Sequence, residues 1–446
     1  MQVDALYQVV PQSAIAEALR ETGCHTRRER KLNLIITVCV IIALYLFPRC
    51  SVKRVLMKLA QGVRLLWGEG EYILPGDSAL SYRRDQVGVA PLALLCRRTL
   101  RPLATPATPN AFAFGWRLIA LDGTVDAVAD TAENARVFGR AKGGHGTSAF
   151  PQVRGVHLIE CGTHVIVDCT FWPYRVSERR GSFRLMRSVQ PGWLVMWDGG
   201  LHDFDLVQAV VARGSQVLSI LPAGVKPERV ETLAGGTQLA YIRPSEPRRR
   251  RQGEKLLVRI ITYRITDPAR PGYGRVYRLV TTLLDPVGYP ALDLIQVYHQ
   301  RWEFEVTMDE IETHQRLTDS PLRGRTPQRV LQELYGLLLA HFIVRSLMHE
   351  AALAAGIVPT RLSFMQSVEL VRQAVVEFQW VCPQQHPALR ARLLRDLAHT
   401  RLPIRRLRTA PRVVKQRHSK YLRKRDWHVH LPQPQKPFRD SVALLI

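Results

Sequence analysis

The sequence reads as an α/β protein. Strand-like and helix-like segments alternate from residue 116 onward, the order expected of a sheet layered with helices. The run Trp193–Trp197 is almost continuously apolar, as in a strand buried on both faces. Two aspartates, Asp122 and Asp198, directly follow apolar strand-like runs.

Residues 1–105 are expected to form a helical N-terminal domain. Segment 13–21 reads as a helix. Ser51 can cap a helix through residue 66, and Pro75-Gly-Asp-Ser78 can start another. Short helices bearing basic residues suit helix-turn-helix DNA binding, although any small helical bundle would look the same. The apolar run 34–47 has 14 residues, short of the ~20 a spanning helix needs, so a buried helix is expected. The Pro/Ala/Thr-rich stretch 102–109 reads as a linker.

A core is then expected in two parts, 106–222 and 290–390. The first holds a strand 116–121 ending at Asp122, strands 156–160 and 164–171, a helix 183–189, the apolar strand ending at Asp198, a helix 204–213 and a strand 216–221. Residues 223–289 form a β-rich insertion, with strands at Gln238–Ile242, Leu256–Ile265 and 275–284 and a polar loop carrying Arg248, Arg249, Arg250 and Arg251. A helix begins at Ala291, and apolar helices at 327–350 and 364–378 follow. Residues 391–446 form an arginine-rich C-terminal region.

The formal charge is +25 and the pI about 10.4. Such a field attracts polyanions, nucleic acid first and a membrane surface second. The seven cysteines form no Cys-x-x-Cys pair. A disulfide framework or structural zinc is therefore not expected, and a reducing cytosol is.

Residues 298–315 contain no Gly or Pro and read as one helix. At ~100° per residue, Tyr298, Arg301, Glu305, Asp309 and Glu312 share a face. Alone, this could be a solvated face, and each Asp-Gly pair could be a turn. Together, two strand-end aspartates and a carboxylate helix can build an oxygen-donor site for Mg²⁺ or Mn²⁺. Two such ions can carry phosphodiester displacement without a Ser or His nucleophile. Glu303 and Glu310 are expected to be solvated or to stand behind the ligands. His341 reads as a core histidine, Gly143-Gly-His-Gly146 as a surface loop, and the 248–251 arginines as phosphate contacts.

The chain resembles bacterial transposases of the DDE class, in the insertion element 4 family. The motifs are Leu121-Asp-Gly-Thr124 with Asn134 and Phe138-Gly139, then Val195-Met-Trp-Asp198-Gly-Gly, then the Tyr-x2-Arg-x3-Glu signature at Tyr298, Arg301 and Glu305. Segment 332–341 also looks like the family. The resemblance implies a ribonuclease H-like catalytic core, a mixed sheet flanked by helices, with the β insertion between Asp198 and Glu305. It implies Asp122, Asp198 and Glu305 as ligands of two metal ions. It implies cleavage at terminal inverted repeats of double-stranded DNA and joining of 3′ ends to target DNA, by a homodimer in a bacterial cytoplasm on the nucleoid, with no membrane. Tyr298 and Arg301 would hold phosphates. The rivals are a nuclease of the same fold that does not join strands and a non-catalytic DNA-binding derivative. One position departs: the signature's final Lys is Glu312. Either Arg316 takes its role or end binding is weakened.

Overall fold

A computed structural model describes residues 9–24, 32–60, 75–143, 146–233, 235–270, 272–316, 321–403 and 436–445. By packing, the chain divides into Met1–Val189 with Trp302–Leu402, and Gln190–Arg301 with Pro403–Ile446. We call these the first and second units.

The first unit begins with helices Gln12–Glu21, Leu34–Ala43, Val52–Leu59, Asp77–Val87 and Ala90–Thr99. The apolar run forms a helix capped by Asn33, whose Oδ1 accepts from the Ile36 N–H at 2.9 Å. It packs on the long helix Pro327–Ala354. That helix is also apolar enough to cross a membrane by length and composition, but 78% of its apolar window is buried in the protein. Both are core helices. Ser51 caps Val52–Leu59 as expected; the remainder of the expected helix, 61–66, lies outside the described residues.

The Pro-rich run 102–109 is not a free linker. The Leu103 and Ala104 N–H groups both donate to Glu160 Oε2 at 3.0 Å. Glu160 is fully buried and also meets Arg117, so the run is tied to the sheet by a charge that cannot be left unpaired.

Three antiparallel strands follow: β1 (Trp116–Ala127), β2 (Gln152–Glu160) and β3 (Val165–Pro173). β1 runs past Asp122, where the Asp-Gly pair suggested an end. Residues 123–127 keep pairing with 152–156 of β2, and that ladder overrides the local turn preference. The helices Ala132–Phe138, Glu178–Leu185, Glu303–Asp309, Pro327–Ala354, Phe364–Glu377 and His386–His399 also belong to the unit.

The second unit is a mixed sheet of β4 (Trp193–Trp197), β5 (Gln216–Ile220), β6 (Glu228–Thr232), β7 (Gln238–Ile242), β8 (Leu256–Ile265), β9 (Val276–Thr281) and β10 (Val442–Leu444). β4 and β5 are parallel and joined through the helix Phe204–Val211, a crossover that parallel strands require. All five residues of β4 are buried. β9 pairs antiparallel with β5 and β8 with β9, so the β-rich insertion extends this sheet. The arginine run is a short helix, Pro247–Arg251, rather than a loop. The tail arginines from 404 to 435 lie outside the described residues.

Candidate active site

Asp122 stands mid-strand on β1, and its Oδ1 accepts from the Gly123 N–H at 2.8 Å. A Cβ on Gly123 would come within 2.6 Å of the Glu178 side chain, which would have to move aside. Opposite Asp122 in the ladder is His157. Burial lowers its imidazole to about 4, against a smaller upward pull from Asp168. His157 is thus neutral at physiological pH and brings no charge beside Asp122. Nothing local in the sequence marks it; only strand register sets it there.

The 298–315 stretch is not one helix. It runs as α-helix Ala291–His299, 3₁₀ turn Gln300–Trp302, α-helix Glu303–Asp309 and π turn Glu310–Gln315. Glu305 is exposed on the Glu303–Asp309 helix, which packs against β1, the strand of Asp122. A π turn takes in an extra residue and shifts the face that follows it. The shared face computed at constant pitch therefore ends near Asp309.

Glu310 falls on the same face as Glu303, seven residues earlier, and takes the inner of its two expected settings. Glu310 is buried and accepts from Arg345 Nε at 2.9 Å, while Arg345 Nη2 meets its other oxygen. His164 Nδ1 lies 2.9 Å from Glu310 Oε1 and its Nε2 lies 2.6 Å from Glu303 Oε2. His341 Nε2 lies 3.3 Å from Glu310 Oε2, so His341 is the core histidine expected. Burial alone would raise the Glu310 carboxyl, but Arg345 and His164 outweigh it and hold it well below its usual range. The same carboxylates raise His164 against its own burial. His164 has φ of 60°, a conformation that costs a non-glycine residue about 1 kcal/mol or more. The network thus grips the Glu305 helix at residues 303 and 310. Sequence reasoning missed it because its members come from three distant segments.

Next to it, Arg316 Nη1 lies 2.6 Å from Asp126 Oδ1, with both side chains largely buried. Glu312 is pushed up to about 7, first by desolvation, then by Asp126, with Glu305 and Asp309 adding and Arg316 opposing. Its residue surface still reaches solvent, which screens part of that shift.

In the second unit Asp198 follows β4. Its Oδ1 accepts from the Gly200 and Leu201 N–H groups at 2.9 and 3.3 Å, which orients the carboxylate at the strand's end. Tyr298 donates its hydroxyl to the Trp197 carbonyl at 3.2 Å, one residue before Asp198. Arg301 is half-buried in the 3₁₀ turn. Arg249 is bound to Asp205 and Glu254, each at 2.6 Å, whereas Arg248, Arg250 and Arg251 are exposed.

Asp122, Asp198 and Glu305 supply hard oxygen donors of the kind Mg²⁺ and Mn²⁺ take. Among the described residues, no group of three or more His, Cys, Asp or Glu side chains is gathered about one point.

A mixed α/β core bearing an aspartate on one strand, a second after another and a glutamate on a later helix defines the class: a DDE catalytic domain. Residues 114–343 match the family described as the transposase DDE domain, and residues 1–97 match the insertion element 4 transposase N-terminal family. The chain belongs to the insertion element 4 family of DDE transposases, enzymes that act on DNA. It is 28% identical over 417 residues to the Escherichia coli transposase InsG for insertion sequence element IS4, covering 91% of this chain and 90% of that one. It is 26% identical over 203 residues to the putative transposase InsZ of the same organism, covering 41% and 68%. Among solved structures, a piggyBac transposase synaptic complex with hairpin DNA aligns at a TM-score of 0.43 and 10% identity, over 88% of this chain and 84% of that one.

Proposed function

We propose that Asp122, Asp198 and Glu305 are the catalytic carboxylates of this transposase and hold two Mg²⁺ or Mn²⁺ ions. The observation that carries this is the packing of the Glu303–Asp309 helix on β1, which puts the Glu305 and Asp122 elements in contact. When bound, such ions activate the attacking oxygen and stabilise the leaving one in phosphodiester displacement. The chain's own part is orientation. Backbone N–H groups fix Asp122 and Asp198, and the His164–Glu310–Arg345 network fixes the helix of Glu305. Arg301 holds a phosphate near the transposon end, and the exposed Arg248, Arg250 and Arg251 hold others.

The substrate in this reading is double-stranded DNA at the terminal inverted repeats, and the product is a 3′ end joined to target DNA. Two chains pair two ends, in the cytoplasm and on the nucleoid. The test is a strand-transfer assay with labelled inverted-repeat DNA, Mg²⁺ and a target plasmid. Joined product is expected from the wild-type chain and none from Asp122→Ala, Asp198→Ala or Glu305→Ala, each still binding the repeat. Full strand transfer by all three variants would sink the assignment. Cleavage without joining would point to a nuclease, and binding without cleavage to a DNA-binding derivative.

A further inference from the structure

The first unit contains a cavity of about 270 Å³ whose wall carries Arg84, Arg316, Arg323, Arg325 and Arg329 against one carboxylate, Glu333. Three of these cations have acidic neighbours. Arg316 pairs with Asp126 at 2.6 Å and Arg329 with Asp85 at 3.0 Å, while Arg84 stands 3.9 Å from Glu333. Among the described residues no carboxylate pairs with Arg323 or Arg325. Arg84 Nη2 is buried with no hydrogen-bond partner, and burial lowers its guanidinium despite Glu333. The cavity wall therefore carries surplus positive charge, with Arg84 buried and Arg323 and Arg325 reaching solvent.

The two unbalanced arginines are held in place by their backbone. Leu322 N–H donates to the Ala127 carbonyl and Ala129 N–H to the Leu322 carbonyl, at 2.9 and 3.0 Å. Leu322 is buried in a cluster with Val128, Phe138 and Val330. Gly324 is buried too, and a Cβ there would come within 2.5 Å of the Val330 nitrogen. Asn134, a motif residue with no other role so far, donates its amide to the Ala129 and Gly324 carbonyls at 3.0 and 2.9 Å. Thr131 Oγ1 donates to the Arg325 carbonyl at 2.9 Å. With 322 and 324 pinned inward, the extended chain must turn 323 and 325 outward. Arg323 also donates to the Pro48 carbonyl. A guanidinium set on a rigid frame loses little entropy on binding an anion.

We propose that this cavity is a binding site for a phosphodiester of the DNA backbone, held by Arg323 and Arg325. A phosphate is the anion that fits: it is small enough for the volume, it can take bidentate guanidinium contacts, and the enzyme acts on DNA. The inference rests on DNA as the substrate, and not on which carboxylates cut it.

The test uses the full chain and a duplex of its own inverted repeat, with dissociation constants measured between about 50 and 200 mM salt. Arg323→Gln and Arg325→Gln should each lower the slope of log Kd against log salt by about one, with melting temperature unchanged. A neutral methylphosphonate placed at successive linkages should, at one position, abolish the difference between wild type and Arg325→Gln. An unchanged slope in both variants, or additive effects at every linkage, would overturn the proposal. So would a site for free anions alone, in which pyrophosphate raises the wild-type melting temperature while the DNA slope stays unmoved in the variants. Failure of the carboxylates would look different: Asp122→Ala would cleave normally while the arginine effects remained.

Discussion

Arg316 and Asp126 form an ion pair at 2.6 Å with both side chains largely buried. This bears on the departure of the chain from its family signature. Arg316 faces an acid that already takes up its charge, and Glu312 remains among Asp126, Glu305 and Asp309. Glu312→Lys should therefore tighten binding of the inverted-repeat duplex several-fold, a gain of ~1 kcal/mol for one charge-assisted contact. Equal or weaker binding in a titration would mean that Arg316 has taken over the lysine's work.

Glu312 should also make stability depend on pH. Its carboxyl is raised to about 7 from an ordinary 4.5. Between those values the unfolded chain has lost the proton and the folded chain keeps it, so stability falls as pH rises. Glu312→Gln should melt higher than wild type at pH ~8 and match it near pH ~4, with a gain of about 1 kcal/mol or less after solvent screening. A constant difference across that range would contradict the shift.

The buried network predicts the opposite slope. Glu310 is held well below its usual range because the cations around it outweigh its burial. Its stabilisation is present above the unfolded carboxylate pKa and lost as pH falls through the lower folded value. Glu310→Gln leaves Arg345 buried without its anion, which should cost ~3–5 kcal/mol. Urea denaturation at neutral pH measures this, and a loss under ~1 kcal/mol would show the network to be incidental.

Tyr298 donates to the Trp197 carbonyl, so its hydroxyl proton is directed at the backbone beside Asp198. Tyr298→Phe should slow cleavage more than it weakens DNA binding, with a stability cost of ~1 kcal/mol. A rise in Kd with an unchanged cleavage rate would return Tyr298 to the role of a phosphate contact.

Gly336 lets the long helix approach Leu34–Ala43, since a Cβ there would lie 2.8 Å from the Ile41 carbonyl oxygen. Backbone cannot yield as a side-chain tip can. Gly336→Ala should cost ~1–3 kcal/mol in chemical denaturation, although alanine is the better helix former. A neutral or stabilising effect would mean that the two helices are not in close contact.

Much of this protein is written in local pattern. Apolar period and capping residues place β4, the helix behind Asn33, the crossover helix after Asp198 and the long core helix close to where they stand, because burial and backbone satisfaction act on neighbours in sequence. The ordered motifs around Asp122, Asp198 and Glu305 likewise carry the family. Tertiary packing decided the rest. β1 continues past its Asp-Gly pair because β2 offers partners, and the Pro-rich run is tied down because Glu160 is buried. The helix of Glu305 breaks into a π turn at Glu310, whose carboxylate meets Arg345 and His164. The Arg323 and Arg325 frame depends on Asn134, nearly two hundred residues earlier in the chain. Such choices are made by charges and hydrogen bonds between segments far apart in sequence, and no local period records them.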